Sequence, residues 1–224
     1  MIEPNAWSND FSYDYYIKLL NVAENNFELC LISDAEHVLK IRHKKPVLFL
    51  RHDLDVSVEG ALDMAKFEFN QNICATYYVR LNTEFYSLKD TSTFNALQKI
   101  LDLGHEIGLH YDYRKDPSLP SCFKKLESLT GKPVRSLAFH IPISNQLRMN
   151  GLKIHGRMNA YSSELMGWYI SDSSGRFRDG EPIPQLRNPK GTILQVLIHP
   201  VWWGKKVIPS SKKEMIIKKL KNGW

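Results

Sequence analysis

Apolar residues along this chain gather into short runs, and several of these runs end in an acid or a histidine. PVLFLRHDLD (46–55), GHEIGLHYD (104–112), RSLAFHIP (135–142), WYISDSS (168–174) and ILQVLIHP (193–200) each pass from aliphatic or aromatic residues to Asp or His. Runs of this length predict buried strands. ICATYYVRL (73–81), rich in β-branched and aromatic residues, predicts another. Between the runs the spacing turns helical. Val58, Leu62, Ala65 and Phe69 recur within SVEGALDMAKFEFNQN, and Tyr15, Leu19, Leu20 and Val22 predict a helix over about 11–26. TSTFNALQKILDLG offers Thr91 or Ser92 as N-cap and Gly104 as stop, and FKKLESLTG (123–131) predicts a further helix. Strands alternating with helices point to an α/β fold with a mostly parallel sheet or barrel.

Beyond Pro142 the rhythm loosens. Residues 143–167 are polar, with Asn150, Gly151 and Gly156, and SSGRFRDGEPIPQLRNPKG (173–191) predicts a long loop over the rim of the fold. No repeat or low-complexity tract interrupts the chain. With 224 residues, 43% of them hydrophobic, it has the size and composition of one globular domain and no disordered signature. The formal net charge of +6 is concentrated near the C-terminus, in KKEMIIKKLKNGW and in KKV at 205–207. No basic run is interleaved with aromatic residues, so a solvated helix face is expected there and no nucleic-acid interface. Cys30, Cys74 and Cys122 are odd in number and far apart, which suits a reducing compartment better than a disulfide framework. Neither a signal peptide nor a transmembrane run is visible, and a cytoplasmic location is the expectation.

The strand endings carry the candidate chemistry. In parallel α/β folds the carboxyl ends of the strands share one rim, where reactions take place. Alternation puts Asp53 and Asp55 on one face of their strand, with His52 beside Leu48, Leu50 and Leu54 on the other. Two such carboxylates can divide metal binding and proton transfer between them, or can serve the start of the following helix. Glu106, Gly108, His110 and Asp112 share a face, with His110 the metal-ligand candidate and Gly108 leaving room for a close neighbour. His105, on the opposite face, reads as structural. His140 ends a third strand, beside Ser136 and Ala138. His199 follows Ile193, Gln195 and Leu197 and fits a general acid. Trp202 and Trp203 fit either a sugar-stacking surface or the edge of the core. No role falls to His37, His43 or His155. The convergence of Asp53, Asp55, His110, His140, Asp172 and His199 suggests a metal-dependent hydrolase.

FLRHDLD, the ALDMAKFEF helix, ATYYVRL and GHEIGLHYD, in that order, resemble the polysaccharide deacetylase family, also called carbohydrate esterase family 4, over residues 46–200. The resemblance implies a distorted (β/α) barrel of about seven parallel strands ringed by helices. It also implies removal of an acetyl group from a sugar with a divalent metal, most commonly zinc, held by an Asp and two His. Carried onto this chain, Asp53 is the base, Asp55 and His110 are metal ligands, and His199 is the catalytic acid. The family's second ligand histidine falls on Arg114, which stays protonated and cannot bind a metal. The family's third motif falls on FHIP, so His140 is expected to supply the missing ligand, with Asp112 as the fallback. Asp172, Trp202 and Trp203 are candidate substrate contacts, Asp172 lying near a motif that supports the acid or base. The implied substrate is an N-acylated sugar, sugar nucleotide or lipid-linked saccharide, in bacterial surface-polysaccharide (O-antigen) biosynthesis. Alternatives are a deformylase or amidase on a non-acetyl substrate, and a degenerate glycan- or partner-binding domain, which Arg114 favours. The whole of 1–224 is expected to form one catalytic domain with a helical N-terminal extension over 1–45. Oligomeric state is left open.

Overall fold

Strands β1 (Glu28–Cys30) and β3 (Thr76–Val79) pair in parallel with different stretches of β2 (Val47–Leu54), whose residues are all buried. These strands belong to a computed structural model whose described residues are 7, 10–140, 151–206 and 210–222. The remaining strands are β4 (Glu106–Tyr111), β5 (Ser136–Phe139), β6 (Lys153–Ile154), β7 (Arg157–Asn159), β8 (Tyr169–Ser171) and β9 (Ile193–Ile198). They form a nine-stranded sheet in the order β6-β7-β5-β4-β3-β2-β9-β8, with β1 added on β2. All pairings are parallel except β6 with β7. The sheet curls without closing: it is a distorted (β/α)-barrel-like fold, open between β6 and β8 among the described residues. The expected distorted barrel of parallel strands is thus present, with β6 as one added antiparallel strand at its edge.

Helices α1 (Tyr13–Asn26), α2 (Ala35–Val38), α3 (Glu59–Asn70), α4 (Thr91–Asp102), α5 (Leu119–Thr130), α6 (Pro182–Arg187) and α7 (Ser210–Asn222) accompany the sheet. Ser12 caps α1 by accepting the Tyr15 N–H at 3.1 Å, and Gly131 ends α5 at φ 66°. Helix α4 begins at Thr91, with Asp90 rather than Thr91 or Ser92 as its N-cap. The polar segment 173–191 is not a plain loop, since it folds into a 3₁₀ turn and α6. Ile141, Pro142, the stretch 143–150 and the last two residues of the basic C-terminus lie outside the described residues. No described helix is long and apolar enough to cross a membrane.

The two sheet faces have different jobs. Leu48, Leu50 and Leu54 of β2 join the large outer core with Ala61, Met64 and Ala65 of α3 and Tyr16, Leu19 and Leu20 of α1. The inner face starts apolar at the amino ends of the strands, where Val47, Phe49 and Tyr78 meet Ile32, Ala35 and Val38. The Ile32 N–H donates to Thr76 Oγ1 and the Ser33 N–H to Glu106 Oε2, so the segment through α2 seals that end. Gly108 accommodates the Tyr78 ring: a Cβ there would lie 2.3 Å from a ring carbon. Farther along, the interior turns polar through Arg51 and Gln195 and reaches the carboxyl rim at Asp53, Asp55 and His110.

Candidate metal centre

Asp55 follows β2, His110 stands near the end of β4 and His140 follows β5, so three separate crossovers deliver them to one place. Asp55 Oδ1 lies 3.3 Å from His110 Nε2 and 3.1 Å from His140 Nδ1, and the two ring nitrogens are 3.3 Å apart. Among the described residues this is the group of His, Cys, Asp and Glu able to hold a metal ion. The spacing fits the task. A tetrahedral zinc with bonds of about 2.0–2.1 Å separates its ligand atoms by roughly 3.3–3.4 Å. The protonation states fit as well. His110 Nδ1 faces the Ala138 carbonyl at 3.2 Å and donates to it, which leaves the Nε2 lone pair pointing inward. Burial lowers the His140 pKa and favours the neutral, ligating imidazole. Burial would raise the Asp55 pKa, but His110 and His140 hold it well below the usual carboxylate range.

Asp53 is buried next to this cluster, with Oδ2 3.6 Å from His110 Nε2. The Arg51 Nη2 donates to that same oxygen at 3.1 Å, while Oδ1 has no protein partner. Arg51 is itself fully buried: it donates to Gln195 Oε1 and to Tyr161 OH, both at 2.9 Å, and lies over the Tyr161 and Tyr78 rings. Neither Arg51 nor Gln195 stands among the residues expected from the motifs, although alternation puts Arg51 on the Asp53 face. His199 faces the cluster from β9, with Nε2 3.8 Å from Asp55 Oδ2.

Two expectations need correction, and the fallback ligand is not called on. Asp172 is not a substrate contact but an anchor: fully buried, it takes the His199 backbone N–H on both oxygens, His199 Nδ1 at 2.6 Å and Trp203 Nε1 at 2.7 Å. Burial alone would lower the His199 pKa, but the Asp172 carboxylate, aided by Asp55 and Asp53, raises it to about 9. Trp202 and Trp203 are core residues at 1% and 4% exposure, too buried to offer a face to a sugar. Trp203 packs among Phe11, Tyr15, Tyr16 and Phe177. Asp112, the fallback ligand, is engaged elsewhere, accepting from Arg80 Nη2 at 3.1 Å and from Arg114 Nε and Nη2 at 3.0 and 3.1 Å. Arg114 thus closes on Asp112, two residues away, while His140 completes the ligand set.

The opposite sheet face bears out the structural reading of His105. Its Nδ1 accepts the Ala75 N–H at 3.2 Å and its Nε2 donates to the Ala65 carbonyl at 2.9 Å. His52 joins it there around Glu68, Tyr16 and Tyr77.

No family model and no curated protein matches the chain. Among solved structures it is similar to a wild-type pseudoenzyme of carbohydrate esterase family 4 from Bacillus anthracis, at 17% identity and a TM-score of 0.44 over 81% of this chain. The match spans 63% of that protein's length, less than two thirds. It is similar to a family 4 carbohydrate esterase from Bacillus anthracis at 17% identity and a TM-score of 0.42, covering 97% of this chain and 88% of that one. The Streptococcus pyogenes deacetylase PplD, in complex with acetate, is similar at 11% identity and a TM-score of 0.45, covering 92% and 85%.

Proposed function

We propose that this chain is a metal-dependent hydrolase, a divergent polysaccharide deacetylase that removes an N-acetyl or other small acyl group from a sugar precursor. The observation that carries the reading is the meeting of Asp55 Oδ1, His110 Nε2 and His140 Nδ1 at 3.1–3.3 Å. One carboxylate and two imidazoles suit zinc among the divalent metals. When bound, such an ion supplies Lewis acidity, acidifying a water and polarising the acyl oxygen. The remaining steps belong to the chain's own side chains. Asp53 accepts the proton of the attacking water at its open Oδ1, while Arg51 fixes the carboxylate through Oδ2. His199, carrying its proton at neutral pH and held by Asp172, gives that proton to the departing amine from Nε2.

The sugar comes from the motif resemblance, and a sugar nucleotide or lipid-linked saccharide in the cytoplasm is the substrate we favour. The experiment pairs metal content with acyl release. Purified protein supplied with zinc or cobalt should bind close to one ion per chain and release acetate from N-acetylated sugars. Asp53→Asn should retain the ion and lose the activity. Protein that binds neither metal defeats the reading outright.

A further inference from the structure

Arg80 places a cation within the row of metal ligands. Leu54 pairs with Val79 and Val79 with Leu109, so the next residues along, Asp55, Arg80 and His110, stand side by side at the rim. Neighbouring strands lie roughly 4.8 Å apart, so Arg80 is one strand from each of these two ligands. The Tyr86 hydroxyl pins this corner, accepting the Arg80 N–H at 2.9 Å and donating to the Leu54 carbonyl at 2.8 Å.

The Arg80 side chain is 3% exposed, yet most of its donors are unspent. Nη2 donates to Asp112 Oδ2 at 3.1 Å, Nε has no acceptor, and no other hydrogen bond leaves this guanidinium among the described residues. Asp112 cannot do more for it, because the same carboxylate takes Nε, Nη2 and the backbone N–H of Arg114. Nearby Asp116 is engaged with the Asn82 amide and the Asp112 backbone N–H. A guanidinium carries five N–H donors in a planar fork, and a buried one normally finds acceptors for them. Its geometry matches the paired oxygens of a carboxylate or phosphate.

We propose that the open donors of Arg80, with Arg114 beside them across Asp112, receive a carboxylate or phosphate carried by the same sugar whose acyl group lies at the Asp55–His110–His140 centre. This rests on the hydrolase reading above and narrows it: the substrate is an acidic or phosphorylated acylated sugar rather than a neutral one. The Arg80 backbone stands one strand, roughly 4.8 Å, from those of Asp55 and His110, which keeps the anion and the acyl group within the reach of one sugar.

Calorimetry on zinc-loaded protein tests this with the deacylated products glucosamine, glucosamine 6-phosphate and glucosaminuronic acid. At least one anionic product should bind about tenfold or more tighter than glucosamine, as expected for a charge-assisted contact. The larger gain identifies phosphate or carboxylate as the natural group. The preference should persist in zinc-free protein, which separates it from direct coordination of the ion, and should collapse in Arg80→Gln. Should that variant fail to fold, Arg80→Lys keeps the charge facing Asp112, lacks the fork, and should also lose the preference. Equal affinity for all three products, or an undiminished preference in the folded variant, overturns the proposal. So does an equal fall in kcat/KM on neutral and anionic substrates, which would place Arg80 at the reacting acyl group. A retained anion preference without hydrolysis would instead overturn the hydrolase reading alone.

Discussion

His140 Nδ1 and His110 Nε2 stand 3.3 Å apart at the ends of adjacent strands, both turned toward the Asp55 carboxylate. This contact stands where the motif resemblance expects two histidines four residues apart, the second position here being Arg114. His140→Ala should therefore weaken zinc binding by more than about 100-fold, beyond the loss of an outer-shell partner. Asp112→Asn should leave occupancy close to one. Equilibrium dialysis with a competing chelator reads both, and the reverse ranking would make Asp112 the ligand.

The Asp172–His199 pair predicts a pH effect with a definite sign. With its pKa raised to about 9, His199 is protonated through neutral pH, and acid catalysis fades as pH rises past that value. Asp172→Asn removes the anion chiefly responsible for the rise, so the basic limb of the kcat profile should move to lower pH. An unchanged basic limb would take His199 out of the acid role.

Glu68 offers a stability test away from the rim. It is fully buried, accepts from Tyr77 OH at 2.6 Å and from Tyr16 OH, and pairs with His52 Nε2 at 2.7 Å. Burial would raise its pKa, but the His52 interaction holds it below the ordinary value. A lowered folded pKa contributes stability above the unfolded value of about 4.3 and loses it as pH falls through the folded one. Glu68→Ala should cost roughly 3 kcal/mol at neutral pH, a fall in Tm of about 6–12 °C. It should also flatten the acid side of the stability profile. Thermal melts from pH 3 to about 7 check both expectations.

Gly108 is a steric requirement rather than a flexible joint. Any Cβ there meets the Tyr78 ring at 2.3 Å and Ser136 Oγ at 2.9 Å. Gly108→Ala should cost about 1–3 kcal/mol by overpacking, as seen in denaturant melts. Its position two residues before His110 should weaken metal binding as well.

The sequence made the rim legible because strand side chains alternate with a period of two. Apolar runs ending in Asp or His thus announce both their direction and which residues share a face. Asp53, Asp55, His110, His140 and His199 were readable in this way from separate strands. Arg51 and Gln195 followed the same alternation, but a polar residue within an apolar run declares no partner until the sheet curls and brings β2 beside β9. The Trp202–Trp203 pair stayed open between two readings for a related reason. Trp203 is covered by Phe11, Tyr15 and Phe177, which arrive from distant parts of the chain. The segment 28–38 carried little strand or helix signal because its elements are only three or four residues long and owe their form to the sheet they cover.

That short cover has a practical corollary for anyone trimming the protein. The recognisable motifs begin at the first residues of β2, so a fragment cut to them would look complete in an alignment. It would nonetheless lack Ile32, Ala35 and Val38, leaving Val47 and Phe49 open to water from below. It would also lose Tyr16, a neighbour of the buried Glu68. Insoluble material from such a fragment would report a missing floor, and would say nothing about the chemistry at the opposite end.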